Sequence, residues 1–444
     1  MDRSAATAAP VATTLKAGWG FGSVGTQVVL FSQSALLLYF FSAVLGLQPG
    51  VAGALLFAGK LFDAAMAPLF GAWSDRARTP LGRRRPFLLA GALLSAAGLA
   101  LVFNPPSSAL PVLFGALVLI SLGYSAFNIP YLAMSAEMTD SPVERTSFMS
   151  WRIAFVGVGT ILATSVLPLV ARSGGGGVDG YSRVGLVAAA LVLLAMGVTF
   201  LATRSARATE SRGEHYSLAT MFAAVAGNRA FAWLLGAKLL QLVGLAASAA
   251  SMLYFVRAVL GGDERTFALL GAVSNGVSIV SMPLWTAIGR RWGKVALYAL
   301  SVAGFAAVGF TWLLADASTP TASIVLRAAC SGVFVGGMLL MGQALIPDVI
   351  ALDHARTGLR REGAFAGAYS FVEKASSAIG PMIVGTLFQV LGFARPGDSA
   401  PGDVQAVYLA AAVVPPAAYL LSAGPVLMIG RRLRAAAGGA PTAA

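Results

Sequence analysis

The residues best placed to do chemistry are a lysine and an aspartate inside an apolar segment. Lys60 and Asp63 lie within residues 49–74, which contain no other charged residue. A spacing of three residues places both side chains on one face of a helix. Because a charge at the middle of a bilayer is costly unless it is paired or hydrated, we interpret this pair as part of a functional site.

A dense cationic loop follows this segment at residues 75–86. Loops rich in arginine and lysine lie on the cytoplasmic side of a membrane, so this loop predicts the orientation of the helix before it. Its charged groups can also contact neighbouring helix ends through charge-assisted hydrogen bonds. The members that we single out are Asp75, Arg76, Gly82, Arg83 and Arg84.

The composition describes a membrane protein. Of the 444 residues, 57% are hydrophobic and 11% are charged, and the mean hydropathy is +0.78. Apolar runs of about 18 residues or more, each long enough to cross a bilayer as a helix, recur along the chain. We predict an all-α protein with twelve transmembrane helices, at about residues 15–45, 49–74, 86–104, 109–138, 146–171, 183–203, 230–257, 265–288, 295–315, 320–350, 364–393 and 405–430.

The positive charge is explained by membrane topology. Cations account for the formal net charge of +13, and they are concentrated in alternate loops and in the tail, whereas loops such as residues 104–109 carry none. This pattern predicts that both termini are cytoplasmic and that the protein is inserted in the inner membrane. No nucleic-acid partner is expected. The expected partners are the lipid bilayer and a small molecule, and the expected state is a monomer.

The sequence lacks the residues that several other classes of function require. Cys330 is the only cysteine, and the two histidines, His215 and His354, lie in or beside predicted loops. This argues against a buried zinc site or a cysteine nucleophile, so we expect no metal and no enzymatic activity. A GxxxxGK[ST] phosphate loop is absent from the sequence. The polar first 14 residues predict no cleaved signal peptide.

The two halves of the chain contain similar sequence motifs at corresponding positions. Residues 66–69 and 82–85 correspond in pattern to residues 282–285 and 289–294, and each echo follows the second span of its half. A repeat of this kind predicts two six-helix bundles around a midplane cavity. We therefore expect an N-terminal bundle at residues 1–203, a central cytoplasmic loop at 204–229 and a C-terminal bundle with a short basic tail at 230–444.

An ordered set of motifs resembles one transporter family. The loop at residues 74–87 is similar to that of sucrose carriers among the glycoside–pentoside–hexuronide:cation symporters of the major facilitator superfamily. The match extends along the chain through residues 19–22, 63–68, 144–145, 347–350, 356–363 and 370–374. The resemblance implies a symporter, in two pseudo-symmetric six-helix bundles, that moves a sugar or glycoside by alternating access.

The resemblance also implies a substrate site. The family's helix-five arginine and helix-eleven lysine are matched by Arg152 and Lys374. Where the melibiose-permease branch has aspartates in helices one and four, this chain has Gln27 and Asn128, and Leu132 replaces an aromatic residue. Neutral amides still bind sugar hydroxyls, although more weakly than carboxylates do. Gln27, Asn128, Arg152 and Lys374 are the predicted substrate ligands.

The coupling ion follows from the same comparison. Asp63 matches the family's first cation-site acid, but the Asn and Asp that normally follow it are Met66 and Ala67. Hard cations require several oxygen ligands, so H+ is favoured over Na+ as the coupling ion. Asp63 would exchange a proton as Lys60 and Lys374 move relative to it.

Two alternatives stay open, together with weaker candidate residues. The absence of several of the family's acidic residues is also compatible with transport of an amphipathic or lipid-like solute without cation coupling. A more remote alternative is a membrane sensor or enzyme built on the same scaffold.

The expected gating residues in the other loops are Arg290, Arg291, Arg360 and Arg361. Weaker site candidates are Tyr131, Trp151, Gln241, Asn275, Trp312 and Gln343.

Overall fold

The computed structural model describes residues 11–139, 141–206, 225–358, 362–393 and 401–438, and within these ranges all regular structure is helical. We number the long helices in chain order. They are α1 (Thr13–Val44), α2 (Pro49–Arg76), α3 (Arg85–Phe103), α4 (Leu110–Glu137), α5 (Val143–Ser173), α6 (Val178–Ala202), α7 (Arg229–Ala258), α8 (Glu264–Trp292), α9 (Lys294–Leu314), α10 (Thr321–Thr357), α11 (Glu362–Val390) and α12 (Asp403–Leu433).

These helices have the dimensions and composition of membrane spans. Eleven of them, within the described ranges, are long and apolar enough to cross a bilayer. The exception is α11, which has 29 residues and carries Glu373 and Lys374 near its middle. The prediction of an all-α membrane protein is confirmed. Most of the predicted central loop, residues 207–224, lies outside the described residues.

Helix α10 continues past its expected end. The apolar pattern predicts an end near residue 350, but the helix runs to Thr357 and is capped by Gly358, whose φ is +69°. An Asp353–Arg356 ion pair, 3.5 Å long and three residues apart, supports this last turn. Local polar contacts therefore extend the helix beyond its apolar part.

Three helices contain π-helical turns, which the hydropathy pattern did not predict. They lie at Ser32–Leu36 and Phe40–Val44 in α1, at Leu162–Val166 in α5 and at Leu409–Val413 in α12. Such turns insert an extra residue into the helix, and they occur frequently at functional sites. In α1 and α5 they rotate the remainder of the helix relative to the face that carries the predicted ligands.

The chain divides into two compact units by its internal contacts. Unit 1 contains Met1–Ser32 and Phe62–Gly213, and unit 2 contains Gln33–Leu61 and Glu214–Ala444. The division of the sequence into halves stays a prediction about the transporting bundles. By contacts alone, the second part of α1 and the first part of α2 group with the C-terminal helices.

Close packing explains this grouping within unit 2. The Ser42 and Tyr254 hydroxyls, on α1 and α7, are 2.5 Å apart. On α11, a Cβ added to Gly385 would lie 2.3 Å from the Pro49 carbonyl oxygen, and Gly53 meets the same stretch of α11. Glycines at both positions therefore let the backbones of α2 and α11 touch.

In unit 1, small residues bring α3 and α4 into contact. A Cβ added to Gly123 of α4 would lie 2.2 Å from the Ser95 backbone nitrogen of α3. One turn along, a Cβ at Gly91 would lie 2.5 Å from the Phe127 nitrogen. In a bilayer such small-residue contacts replace the hydrophobic effect as the source of helix association. They also determine the rotation of α4, which carries several site residues.

This contact gives a first prediction. We expect Gly123→Ala to lower the melting temperature of the purified protein in detergent, because the added methyl group meets backbone atoms that cannot move aside. Overpacking of this kind costs about 1–3 kcal/mol. Gly115→Ala is the matched control on the same helix, since a Cβ added to Gly115 would have no heavy atom of a neighbouring element within 4 Å. Equal melting temperatures for the two variants would contradict the close packing of α3 on α4.

Candidate functional site

An aromatic stack supports the candidate site in unit 1. Tyr131 of α4 lies between Trp19 of α1 and Phe127, with ring centroids 4.7 and 5.2 Å away. The Trp19 indole nitrogen donates a hydrogen bond to the Tyr131 carbonyl oxygen at 3.1 Å, and the Tyr131 and Ser23 hydroxyls are 2.8 Å apart. Tyr131 is fully buried. This weaker candidate is thus a rigid support that positions its neighbours.

Arg152 of α5 lies beside the Tyr131 hydroxyl. The Arg152 side chain is half-buried, and its Nε is buried without a hydrogen-bond partner in the described part of the chain. A buried donor without an acceptor costs about 1–3 kcal/mol, more when it is charged. The arrangement therefore offers a charged donor to an acceptor from outside the protein, such as a ligand oxygen.

Gln27 of α1 faces the same helix, α5. Thr160 donates a hydrogen bond to the Gln27 Oε1 atom at 3.4 Å. Gly159 makes this approach possible, because a Cβ there would lie 2.7 Å from the Val24 Cα. Gln27 is half-buried, and among the described contacts only its carbonyl oxygen is engaged. Its amide hydrogens are thus available to a ligand.

Asp63 is deeply buried on α2. It is 5% exposed and accepts a 2.5 Å hydrogen bond from the Ser125 hydroxyl of α4. Ser125 precedes Asn128 by three residues, so the two lie on one face of α4. Asn128 itself is half-buried. The predicted coupling acid and one predicted ligand are therefore connected through α4, and the sequence analysis did not identify Ser125.

The remaining predicted ligand and ion-pair partner belong to unit 2. Lys374 of α11 is half-buried, and its carbonyl oxygen accepts a 2.7 Å hydrogen bond from the Ser377 hydroxyl. Lys60 is half-buried and also belongs to unit 2, close to the point where α2 passes into unit 1. Their predicted relation to Asp63 stays a prediction.

The sequence analysis missed a buried lysine in unit 2. Lys238 of α7 is 2% exposed, and its ammonium lies 5.2 Å from the centre of the Tyr298 ring. Space for it comes from Gly342, where a Cβ would lie 2.1 Å from the Lys238 Nζ. The Tyr298 hydroxyl donates to Gln241 at 2.7 Å. The sequence feature that could have identified Lys238 is a cation within an apolar run, as at Lys60.

The weaker candidates in unit 2 have structural contacts. Gln241 also donates to the Ser422 hydroxyl at 3.1 Å, so it connects α7, α9 and α12. Gln343 donates to the Tyr369 hydroxyl at 3.1 Å. Asn275 and Trp312 line a mostly apolar cavity of about 220 Å³. In unit 1, the remaining weaker candidate, Trp151, stacks on Phe155.

The cationic loop forms a buried charge network in unit 1. Arg84 is 9% exposed and contacts Glu137 at 2.7 Å, Asp75 at 2.5 Å and the Ser74 hydroxyl at 2.6 Å. Arg83 adds a second contact to Glu137, at 2.5 Å. The sequence analysis predicted the arginines and Asp75 as gating residues but missed Glu137, which joins the loop to the end of α4. Arg76 and Gly82 are exposed.

The equivalent region of the second half is simpler. Lys294, at the start of α9, pairs with Asp348 of α10 at 2.6 Å, and both side chains are exposed. Arg290 and Arg291 are exposed at the end of α8. The remaining two predicted gating residues, Arg360 and Arg361, lie outside the described residues. The echo seen in the sequence thus corresponds to an ion pair in each half, buried in the first and exposed in the second.

The comparisons with known proteins identify the family. Residues 18–429 match the family described as MFS/sugar transport protein. The chain belongs to this family. The resemblance to glycoside–pentoside–hexuronide:cation symporters of the major facilitator superfamily is thereby confirmed. As a member of this family, the protein is a multi-pass membrane transporter and not an enzyme.

Full-length relatives agree with this assignment. A putative glycoside/cation symporter of Escherichia coli (strain K12) is 27% identical, and the alignment covers 88% of this chain and 85% of the relative. An isoprimeverose transporter of Lactiplantibacillus pentosus is 24% identical, with coverages of 81% and 76%. A solved structure of a proton-dependent oligopeptide transporter aligns with a TM-score of 0.69 at 17% identity, covering 95% and 99% of the two chains. The structural likeness supports the major facilitator fold.

Proposed function

We propose that this transporter carries a sugar or glycoside across the inner membrane, with H+ as the coupling ion and both termini in the cytoplasm. The observation that carries the proposal is a group of polar donors on α1 and α5 that have no acceptor among the described residues. The Arg152 side chain lies beside the Tyr131 hydroxyl, and its Nε has no hydrogen-bond partner among the described residues. The amide hydrogens of Gln27 are available on the facing helix. Guanidinium and amide groups are suitable donors for the closely spaced oxygens of a sugar.

The proposed proton carrier is Asp63. Its carboxyl group is buried and receives a hydroxyl hydrogen bond from Ser125. A sodium ion would require several oxygen ligands, whereas Met66 and Ala67 on the same helix supply a thioether and a methyl group. Protonation removes the cost of carrying a buried charge through the transport cycle, and deprotonation restores it.

The function is tested by counterflow and by pH-tracked uptake of a panel of mono- and disaccharides in proteoliposomes. The panel includes neutral and acidic sugars, because Arg152 is compatible with both. We expect one class of sugar to alkalinise the external solution as it enters. Saturable exchange without movement of H+ or Na+ would indicate a facilitator. Absence of flux for every sugar would overturn the proposed cargo and favour an amphipathic solute.

A second prediction concerns Asp63→Asn. We expect this variant to lose sugar-dependent proton movement and concentrative uptake while retaining counterflow, because the neutral amide cannot release a proton. Asp179→Asn is the matched control, since Asp179 is exposed in the first turn of α6. Normal proton coupling in Asp63→Asn would show that Asp63 is a structural group and that another residue carries the proton.

A further inference from the structure

A cationic cavity lies at the loop end of unit 1, and none of the candidate sugar ligands lines it. It has a volume of about 250 Å³. Its wall is formed by the loop between α2 and α3, the end of α4 and the residues that follow α6. The charged residues that line it are Arg83, Arg84, Arg85, Arg204 and Glu137. Four guanidinium groups therefore surround a space that has one carboxylate in its described wall.

Two of these arginines are neutralised by the network already described. Arg83 and Arg84 both contact Glu137, and Arg84 also contacts Asp75. The two remaining cations, Arg85 and Arg204, have no ion pair with a described carboxylate. They lie close enough for their positive charges to repel each other. The cavity thus has an excess of positive charge on its α3 and α6 sides.

Arg85 is held in place by two contacts, but one of its hydrogen-bond donors has no acceptor among the described residues. Its Nη2 donates to the Phe200 carbonyl oxygen at 3.2 Å, and its guanidinium lies 4.5 Å from the centre of the Phe200 ring. Its Nε is buried without a hydrogen-bond partner among the described residues. A charged donor of this kind requires an acceptor, and repulsion from Arg204 favours one that carries negative charge.

We propose that this cavity binds a phosphate group between Arg85 and Arg204. Arginine presents a planar fork of donors that matches the oxygens of a phosphate, and two such forks can bind different oxygens of one tetrahedral anion. The same chemistry is offered by free phosphate, by a phosphorylated metabolite and by the headgroup of an anionic phospholipid. Bound phosphate would connect the start of α3 to the end of α6 and stabilise unit 1.

The first arm of the test uses the full chain in an uncharged detergent, titrated with inorganic phosphate. We expect phosphate to raise the melting temperature by about 3 °C or more, and chloride at equal ionic strength to have a much smaller effect. Arg204→Gln, at an exposed position, should weaken phosphate binding at least about tenfold. Arg85→Gln should do the same, and Arg183→Gln, exposed elsewhere in unit 1, should leave binding unchanged.

The second arm separates the two sources of phosphate. The protein is reconstituted in nanodiscs of phosphatidylcholine alone or with phosphatidylglycerol, and native mass spectrometry counts the retained lipids. Retention of phosphatidylglycerol that is lost in Arg204→Gln, and that competes with phosphate, identifies a lipid headgroup. Phosphate stabilisation without lipid retention identifies a soluble phosphate. If neither probe binds, or if both bind Arg85→Gln and Arg204→Gln as well as they bind the wild type, the proposal is overturned.

Discussion

Replacing Arg152 by glutamine should reduce the kcat/KM for counterflow of the transported sugar by about 10- to 100-fold. The substitution removes the charge beside Tyr131 and replaces the five N–H donors of the guanidinium by the two of an amide. A hydrogen bond to a charged group contributes about 1.5–3 kcal/mol, and each 1.4 kcal/mol corresponds to a factor of ten. Arg152→Lys should have an intermediate effect, because it retains the charge but not the planar fork.

This effect is measured in proteoliposomes with the sugar that gives the largest flux in the panel. Arg183→Gln is the control for the loss of an arginine in the same unit, since Arg183 is exposed at the start of α6. Melting temperatures of the variants separate a loss of binding from a loss of folded protein. An unchanged KM and rate in a folded Arg152→Gln protein would contradict the proposed substrate site.

The second large effect concerns stability. Arg84→Gln should destabilise the protein by about 3–5 kcal/mol, because it leaves the Glu137 carboxylate buried with only one of its two arginine partners. Glu137 is 4% exposed, so most of its surface is shielded from bulk water. The double variant Arg84→Gln/Glu137→Gln should recover part of this loss, since it removes the buried carboxylate that lost Arg84, while Arg83 loses its contact with Glu137. The measurement is thermal or denaturant unfolding in detergent.

Two matched variants distinguish burial from charge in this prediction. Arg78→Gln removes an exposed cation from the same loop and should change stability little. Lys294→Gln breaks the exposed pair with Asp348, which should contribute about 1 kcal/mol or less. A melting temperature for Arg84→Gln equal to that of Lys294→Gln would show that the buried network contributes no more than a surface ion pair.

We expect the ion-pair regions of the two halves to contribute unequally to gating. In the first half, one arginine holds the ends of α2, α3 and α4 together in a buried cluster. In the second half, the lysine and the aspartate face solvent. We expect motion at the first cluster to be the costlier step, and transport rates to respond more strongly to Arg84→Gln than to Lys294→Gln.

The sequence by itself determined the class of protein, the positions of the helices and the family. These properties follow from local patterns: an apolar run must be long enough to cross the bilayer, and the arginines that flank it cannot enter the bilayer. The motifs at residues 63–68, 74–87 and 370–374 carried the resemblance, and the matching family confirmed it. Each of these signals is contained within a short stretch of chain.

Only the tertiary structure decided which side chains are partners. Ser125 of α4 donates a hydrogen bond to Asp63 of α2, and Arg84 of the cationic loop pairs with Glu137 of α4. Lys238 of α7 is buried against Tyr298 of α9. Hydropathy does not determine how a helix is rotated against its neighbour. That rotation depends on close contacts at small residues such as Gly123, and on π-helical turns. The partner of a buried charge is therefore determined by packing between helices, which a single sequence does not record.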